Sequence, residues 1–169
     1  DLGSWRSDRS VRVSPRRAIA FAFRACSLAP REERARLVDG VLADPEQRAC
    51  FQQLADSLVP MSARLPGLRN DYRRITELAD LSFEKVRVPT LVVHGTADKA
   101  VKIDHAQLAA ARIPHAALCQ LEGADHLLML GPRRDEVKKV VTGFLKEHLL
   151  DVHPSALPDT SLGRAASAE

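Results

Sequence analysis

The sequence predicts an α/β chain: an all-helical segment over residues 16–81, then a strand–helix–strand–helix unit over 82–149. Two observations carry this. Apolar residues recur at helical spacing from Ile19 to Leu58 with no strand-like run among them. After Leu81 the pattern changes to short β-branched or apolar runs, each closed by a glycine-containing loop. The length of 169 residues suits one domain or little more, and 45% apolar with 28% charged residues suits a packed core under an ordinary polar surface.

Residues 1–15 are rich in Ser, Arg and Asp without periodicity and are expected to form a flexible basic connector. Ile19, Ala22, Phe23 and Cys26 then make an amphipathic stripe that stops at Pro30. Leu37, Val38, Val41 and Leu42 repeat it. Asp44-Pro45 supplies an N-cap and a proline at the first helical position, with Phe51, Leu54, Ala55 and Leu58 on one face. Pro60 to Gly67 is expected to break the chain, after which Asn70 or Asp71 caps a short helix carrying Tyr72, Ile75 and Leu78 inward.

The run from Val86 to His94 reads as a strand covered on both faces, closed by Gly95. A helix around 104–112 leads to a second strand over 116–121, closed by Glu122-Gly123. Gly131-Pro132 is expected to open a last helix with Val137, Val140, Val141, Phe144 and Leu145 on one face. Its Asp135 and Glu136 at the start and Lys146 near the end suit the helix dipole. Residues 150–169, rich in Pro, Ser and Ala, are expected to be a disordered tail.

Parallel sheets gather their chemistry in the loops at the carboxyl ends of strands. Here those loops carry Asp98 and His126, 28 residues apart. Neutral imidazole can take a proton from a weak nucleophile near pH 7 and return it to a leaving group. A carboxylate on its other nitrogen fixes the tautomer and stabilises the imidazolium. Asp125 is a rival acid, although adjacent side chains diverge. His94 ends the first strand beside this place, where it either packs or lines a substrate pocket.

Val88-Pro-Thr-Leu-Val-Val-His-Gly-Thr-Ala-Asp-Lys-Ala-Val101 resembles the α/β-hydrolase segment that presents the triad acid after the penultimate strand. Leu121-Glu-Gly-Ala-Asp-His-Leu127 resembles the segment that presents the triad histidine. The resemblance implies Asp98 as acid and His126 as base, in the family's order of nucleophile, acid and histidine. It implies that the helices of 16–81 are a lid, and that the chain is the C-terminal portion of such a protein, with Asp1 a cut within a longer chain. Asn70-Asp71 after Pro66-Gly67-Leu68-Arg69 resembles a lid-to-core junction; helix capping is its competing reading.

One part of the pattern is missing: no G-x-S-x-G elbow occurs. The eleven serines fall in the basic arm, in lid helices, before a strand or in the tail, and Cys119 lies inside a strand. The chain is therefore expected to supply the acid and histidine of a hydrolase acting on an ester-like, partly apolar small molecule. Its nucleophile and the remainder of the core would come from elsewhere, and the isolated chain would be inactive. A non-catalytic remnant or binding module is the alternative.

No cofactor is required by this chemistry. Cys26, Cys50 and Cys119 are odd in number and widely spaced, against a disulfide framework or zinc site and in keeping with a reducing, cytoplasmic setting. His105, His115, His148 and His153 are too scattered to ligate a metal. Residues 1–24 carry +4 of the net +3 charge, yet no nucleic-acid-binding motif accompanies them. No apolar run reaches the ~18 residues of a membrane span, and no secretory signal begins the sequence given.

Overall fold

The computed structural model describes residues 14–78 and 81–149; the basic arm before Ser14 and the tail from Leu150 lie outside them. Among the described residues, six α-helices and two parallel strands make up a mixed α/β fold. The order is α1 (Pro15–Cys26), α2 (Arg31–Ala43), α3 (Pro45–Leu58), α4 (Met61–Glu77), a 3-10 turn (Phe83–Lys85), β1 (Thr90–Gly95), α5 (Ile103–Arg112), β2 (Ala116–Leu121) and α6 (Arg134–Leu149).

The helix starts follow from local chemistry. Ser14 caps α1, its hydroxyl accepting the Arg17 N–H, with Pro15 at the first position. Asp44 caps α3 by accepting the N–H groups of Glu46 and Gln47. Ala18, Ile19, Phe23, Val38, Val41, Phe51 and Ala55 interlock as the core of the first three helices, and Leu130 from far along the chain completes it.

Three expectations are corrected here. Residues 60–67 do not break the chain: α4 runs from Met61 through Pro66 and Gly67 to Glu77. Proline removes one helical hydrogen bond, and the carbonyl it frees belongs to exposed Ser62, where water can serve it. Tyr72, Ile75 and Leu78 do not face inward; they are 65%, 63% and 56% exposed, because no other described helix packs along α4. The last helix also begins two residues late, since Gly131 adopts φ +93 in the turn that precedes it.

β1 and β2 pair in parallel from Thr90–Ala116 to Gly95–Leu121. The first strand begins at Thr90 rather than Val86. Its residues up to His94 are half-buried rather than covered on both faces, because this sheet has two strands among the described residues. Leu121, Ala124 and Val137 form a second core with Val93, Cys119, Leu128 and Val141, joining the sheet to α6. The parallel pairing puts both strand ends, and hence the loops bearing Asp98 and His126, on the same side.

Candidate active site

Asp98 lies four residues past His94, at the end of the turn that leaves β1. One carboxylate oxygen, Oδ1, accepts the N–H groups of Ala100 at 2.7 Å and Val101 at 2.8 Å. This local turn locks the side chain and leaves Oδ2 for other partners. The Nδ1–H of His126 donates to Oδ2 at 2.8 Å. A carboxylate only accepts, so the proton of a neutral ring sits on Nδ1 and the lone pair on Nε2. The Asp98 side chain is 4% exposed and that of His126 45%, so the acid is withdrawn from water while the ring edge is open.

The close approach of the two loops depends on Gly95. A Cβ there would lie 2.2 Å from the Ala124 carbonyl oxygen and 2.8 Å from that of Asp125. With no side chain in the way, the Ala97 N–H reaches the Ala124 oxygen at 2.8 Å, and Thr96 meets the Leu121 oxygen at 3.0 Å. The Thr96 hydroxyl in turn accepts the N–H of Gly123, itself at φ +71. Sequence reading took Gly95 only as the end of a strand. Its signal was the small residue placed between a strand and a loop carrying an acid.

The histidine loop is held from both sides. Leu127 and Leu130 pack with the helical block, while Ala124 and Leu128 pack with the sheet core. Gln47 spans the gap further: its amide donates to the Asp44 carboxylate, and its carbonyl oxygen accepts the Gly131 N–H at 2.6 Å. Arg134 reaches Asp44 and Glu46, and Lys138 reaches Glu46, tying α6 to α3. Nothing in the spacing of Gln47 or Leu130 marks these roles.

His94 is placed beside the acid. Its Nδ1–H donates to the Gly95 carbonyl at 2.9 Å, and its Nε2 is buried 3.5 Å from Asp98 Oδ2 without a hydrogen bond. Asp125 is buried too, but its Oδ1 accepts the Leu127 N–H at 2.9 Å, so it shapes the histidine turn. Burial pushes its carboxyl above the usual range, and the nearby Asp98 charge adds to this. Burial also raises the Cys26 thiol, followed by the Asp125 and Asp98 charges, which disfavours a thiolate there.

The three cysteines are free thiols, and Cys119 stands opposite Val93 inside the sheet. Ser27 lies beside the pair, buried, with its hydroxyl accepting the Ala29 N–H at 3.2 Å. No serine among the described residues occupies a strand-to-helix turn. His105 is exposed on α5, His115 precedes β2 at φ +61, and His148 packs at a tilt against Phe144. His153 lies outside the described residues. Among these residues no group of three or more His, Cys, Asp and Glu is set for a metal ion, and no helix is long and apolar enough to cross a membrane. A cavity of about 270 Å³ lined by Pro15, Ile19, Arg48, Ala49, Phe51 and Gln52 shares no residue with the Asp98–His126 pair.

No family model matches the chain. Over 101 residues, 60% of its length, it is 34% identical to the polyketide synthase ThaQ of Burkholderia thailandensis, of which this stretch is 5%. An α/β-hydrolase fold protein from Nakamurella multipartita superimposes with a TM-score of 0.75 at 27% identity, covering 86% of this chain and 50% of that one. The chain thus spans about half the length of that solved relative. Parallel strands, loop placement and this likeness agree: the chain is similar to part of an α/β-hydrolase fold protein and has a mixed α/β fold of that kind.

Proposed function

We propose that Asp98 and His126 are the acid and base of a hydrolase triad, and that a serine nucleophile is supplied by a part of the core outside this chain. The 2.8 Å bond from His126 Nδ1 to Asp98 Oδ2 carries this reading, because it leaves Nε2 as an open-faced base on a fixed ring. In the reaction Nε2 takes the hydroxyl proton as the serine oxygen attacks the carbonyl carbon. The imidazolium then gives that proton to the departing alkoxide as the carbon–oxygen bond breaks. Water, deprotonated by the same nitrogen, releases the acid and restores the serine. Asp98 keeps its charge throughout and stabilises the imidazolium at each stage.

The substrate class is a small, partly apolar ester or related carbonyl compound, taken beneath helices 16–81 acting as a lid. Likeness to a stretch of a polyketide synthase favours an acyl chain. The remainder of the hydrolase core is the partner, and three free thiols suit a reducing, cytoplasmic setting. The test is to express the chain together with the reading frame upstream of Asp1. Short-chain nitrophenyl esters and a serine-reactive phosphonate are then offered to it. Hydrolysis and labelling are expected, with His126→Ala lowering kcat by about 10³-fold or more. Near-normal turnover in that variant would show that another group is the base.

One observation favours a second reading, a non-catalytic binding module. Among the described residues the sheet has two strands with open edges, and Leu28 and Val88 are exposed. A full-length product that binds a partner yet neither labels nor hydrolyses would select it.

A further inference from the structure

Residues 26–28 leave α1 and thread between the two loops that carry the acid and the histidine. The Cys26 carbonyl accepts from both loops at once, from the Lys99 N–H at 3.1 Å and the His126 N–H at 3.3 Å. Ser27 pairs antiparallel with Asp98 itself, and the Leu28 N–H donates to the Ala97 carbonyl at 2.9 Å. The Lys99 ammonium adds a bond to the Arg24 carbonyl at 3.1 Å. Ser27 is fully buried at this crossing, whereas the Leu28 side chain is 61% exposed and packs little.

We propose that the link Cys26–Leu28 is a clasp that sets the Asp98–His126 geometry, with Leu28 a positioning residue acting through its backbone N–H. Each loop alone is a short surface turn. Besides the direct bonds between them, both loops bond through their main chains to one shared segment, so a shift of that segment moves acid and histidine together. Because α1 ends in the clasp, the helical block is mechanically part of the catalytic pair as well as a cover beside it. This rests on the reading of Asp98 and His126 as acid and base.

Leu28 offers a clean test. Ser27 sits at φ −122, ψ 135, the extended region that a residue before proline requires. Leu28→Pro therefore deletes the N–H donor without forcing its neighbour, and Leu28→Ala keeps the donor while removing the side chain. The readout is the low-field proton resonance of His126 Nδ1–H in the 169-residue chain, with amide exchange at Lys99 and His126. We expect Leu28→Ala to match the wild type. Leu28→Pro should exchange the ring proton and both amides at least ten-fold faster.

Wild-type behaviour in Leu28→Pro would overturn the proposal. If that variant loses its helical circular dichroism, the wild-type amides decide. Matched slow exchange at Lys99 and His126 supports the clasp, and free-peptide rates at both overturn it. None of these signals needs turnover, so a completed protein without hydrolase activity would remove the proposed function and the catalytic meaning of the clasp, while these signals alone decide whether the clasp sets the Asp98–His126 geometry.

Discussion

Replacing Gly95 by alanine tests whether the close approach of two loops builds the site. The added Cβ would stand 2.2 Å from the Ala124 carbonyl oxygen and 2.5 Å from its carbon, where ordinary contact begins at 3.4 Å. The histidine loop must therefore retreat by roughly 1.2 Å, since backbone cannot rotate away as a side chain can. That retreat breaks the 2.8 Å bond from Ala97 to the Ala124 oxygen. Two residues on, it stretches the 2.8 Å His126–Asp98 bond toward ~4 Å, beyond hydrogen-bonding range. Overpacking of this kind costs about 1–3 kcal/mol. Urea unfolding would read that cost, and the His126 Nδ1–H resonance would read the broken pair. A Gly95→Ala variant with wild-type stability and an intact resonance would refute the argument, because the loops would then have slack that the contact distances deny.

Four further outcomes follow from the same geometry. Phe23→Ala empties the centre of the helical core, where the ring is fully buried, and should cost about 3–5 kcal/mol in chemical unfolding; a loss below 1 kcal/mol would mean the core collapses around the gap. His94→Leu removes the Nδ1–H donor to the Gly95 carbonyl and should cost about 0.5–1.5 kcal/mol, with His94→Asn recovering part of it where its amide reaches the Nδ1 position. Asp125 binds its proton more tightly folded than unfolded, so its contribution to stability falls as pH rises from about 3.9 through its raised value. Asp125→Asn should flatten the decline of melting temperature there, and parallel profiles would contradict this. Asp44 has the opposite sign: the Gln47 amide bond, foremost, lowers its carboxyl, so its stabilisation is lost as pH falls through that lowered value, and Asp44→Ala should remove that acid limb.

Much of this was legible along the chain. Asp44-Pro45 marked a helix start because capping and proline chemistry act within four residues. Residues 116–121 read as a strand and form one. Asp98 and His126 could be placed in neighbouring loops because each follows a strand end, and parallel pairing from Thr90–Ala116 to Gly95–Leu121 delivers both to the same side. Pro66 misled for a physical reason: a proline penalty of one hydrogen bond is decisive in a buried helix and tolerable on an exposed one. Exposure is not written in the local pattern, and so Tyr72 and Ile75, at good inward spacing, face water instead.

By itself, then, the sequence determined which residue types stand at which strand ends, and so which chemistry is available. Period, capping and side-chain identity are local properties; they put Asp98 and His126 in loops at strand ends, and the resemblance to α/β-hydrolase segments singled the two out as a candidate acid and base. Only the tertiary structure decided that these two meet at 2.8 Å, that Gly95 must lack a side chain for them to do so, and that a segment about 70 residues before the acid holds both loops. Those facts depend on distances between backbones far apart in the chain. No residue records them until the helices and the sheet have packed against one another.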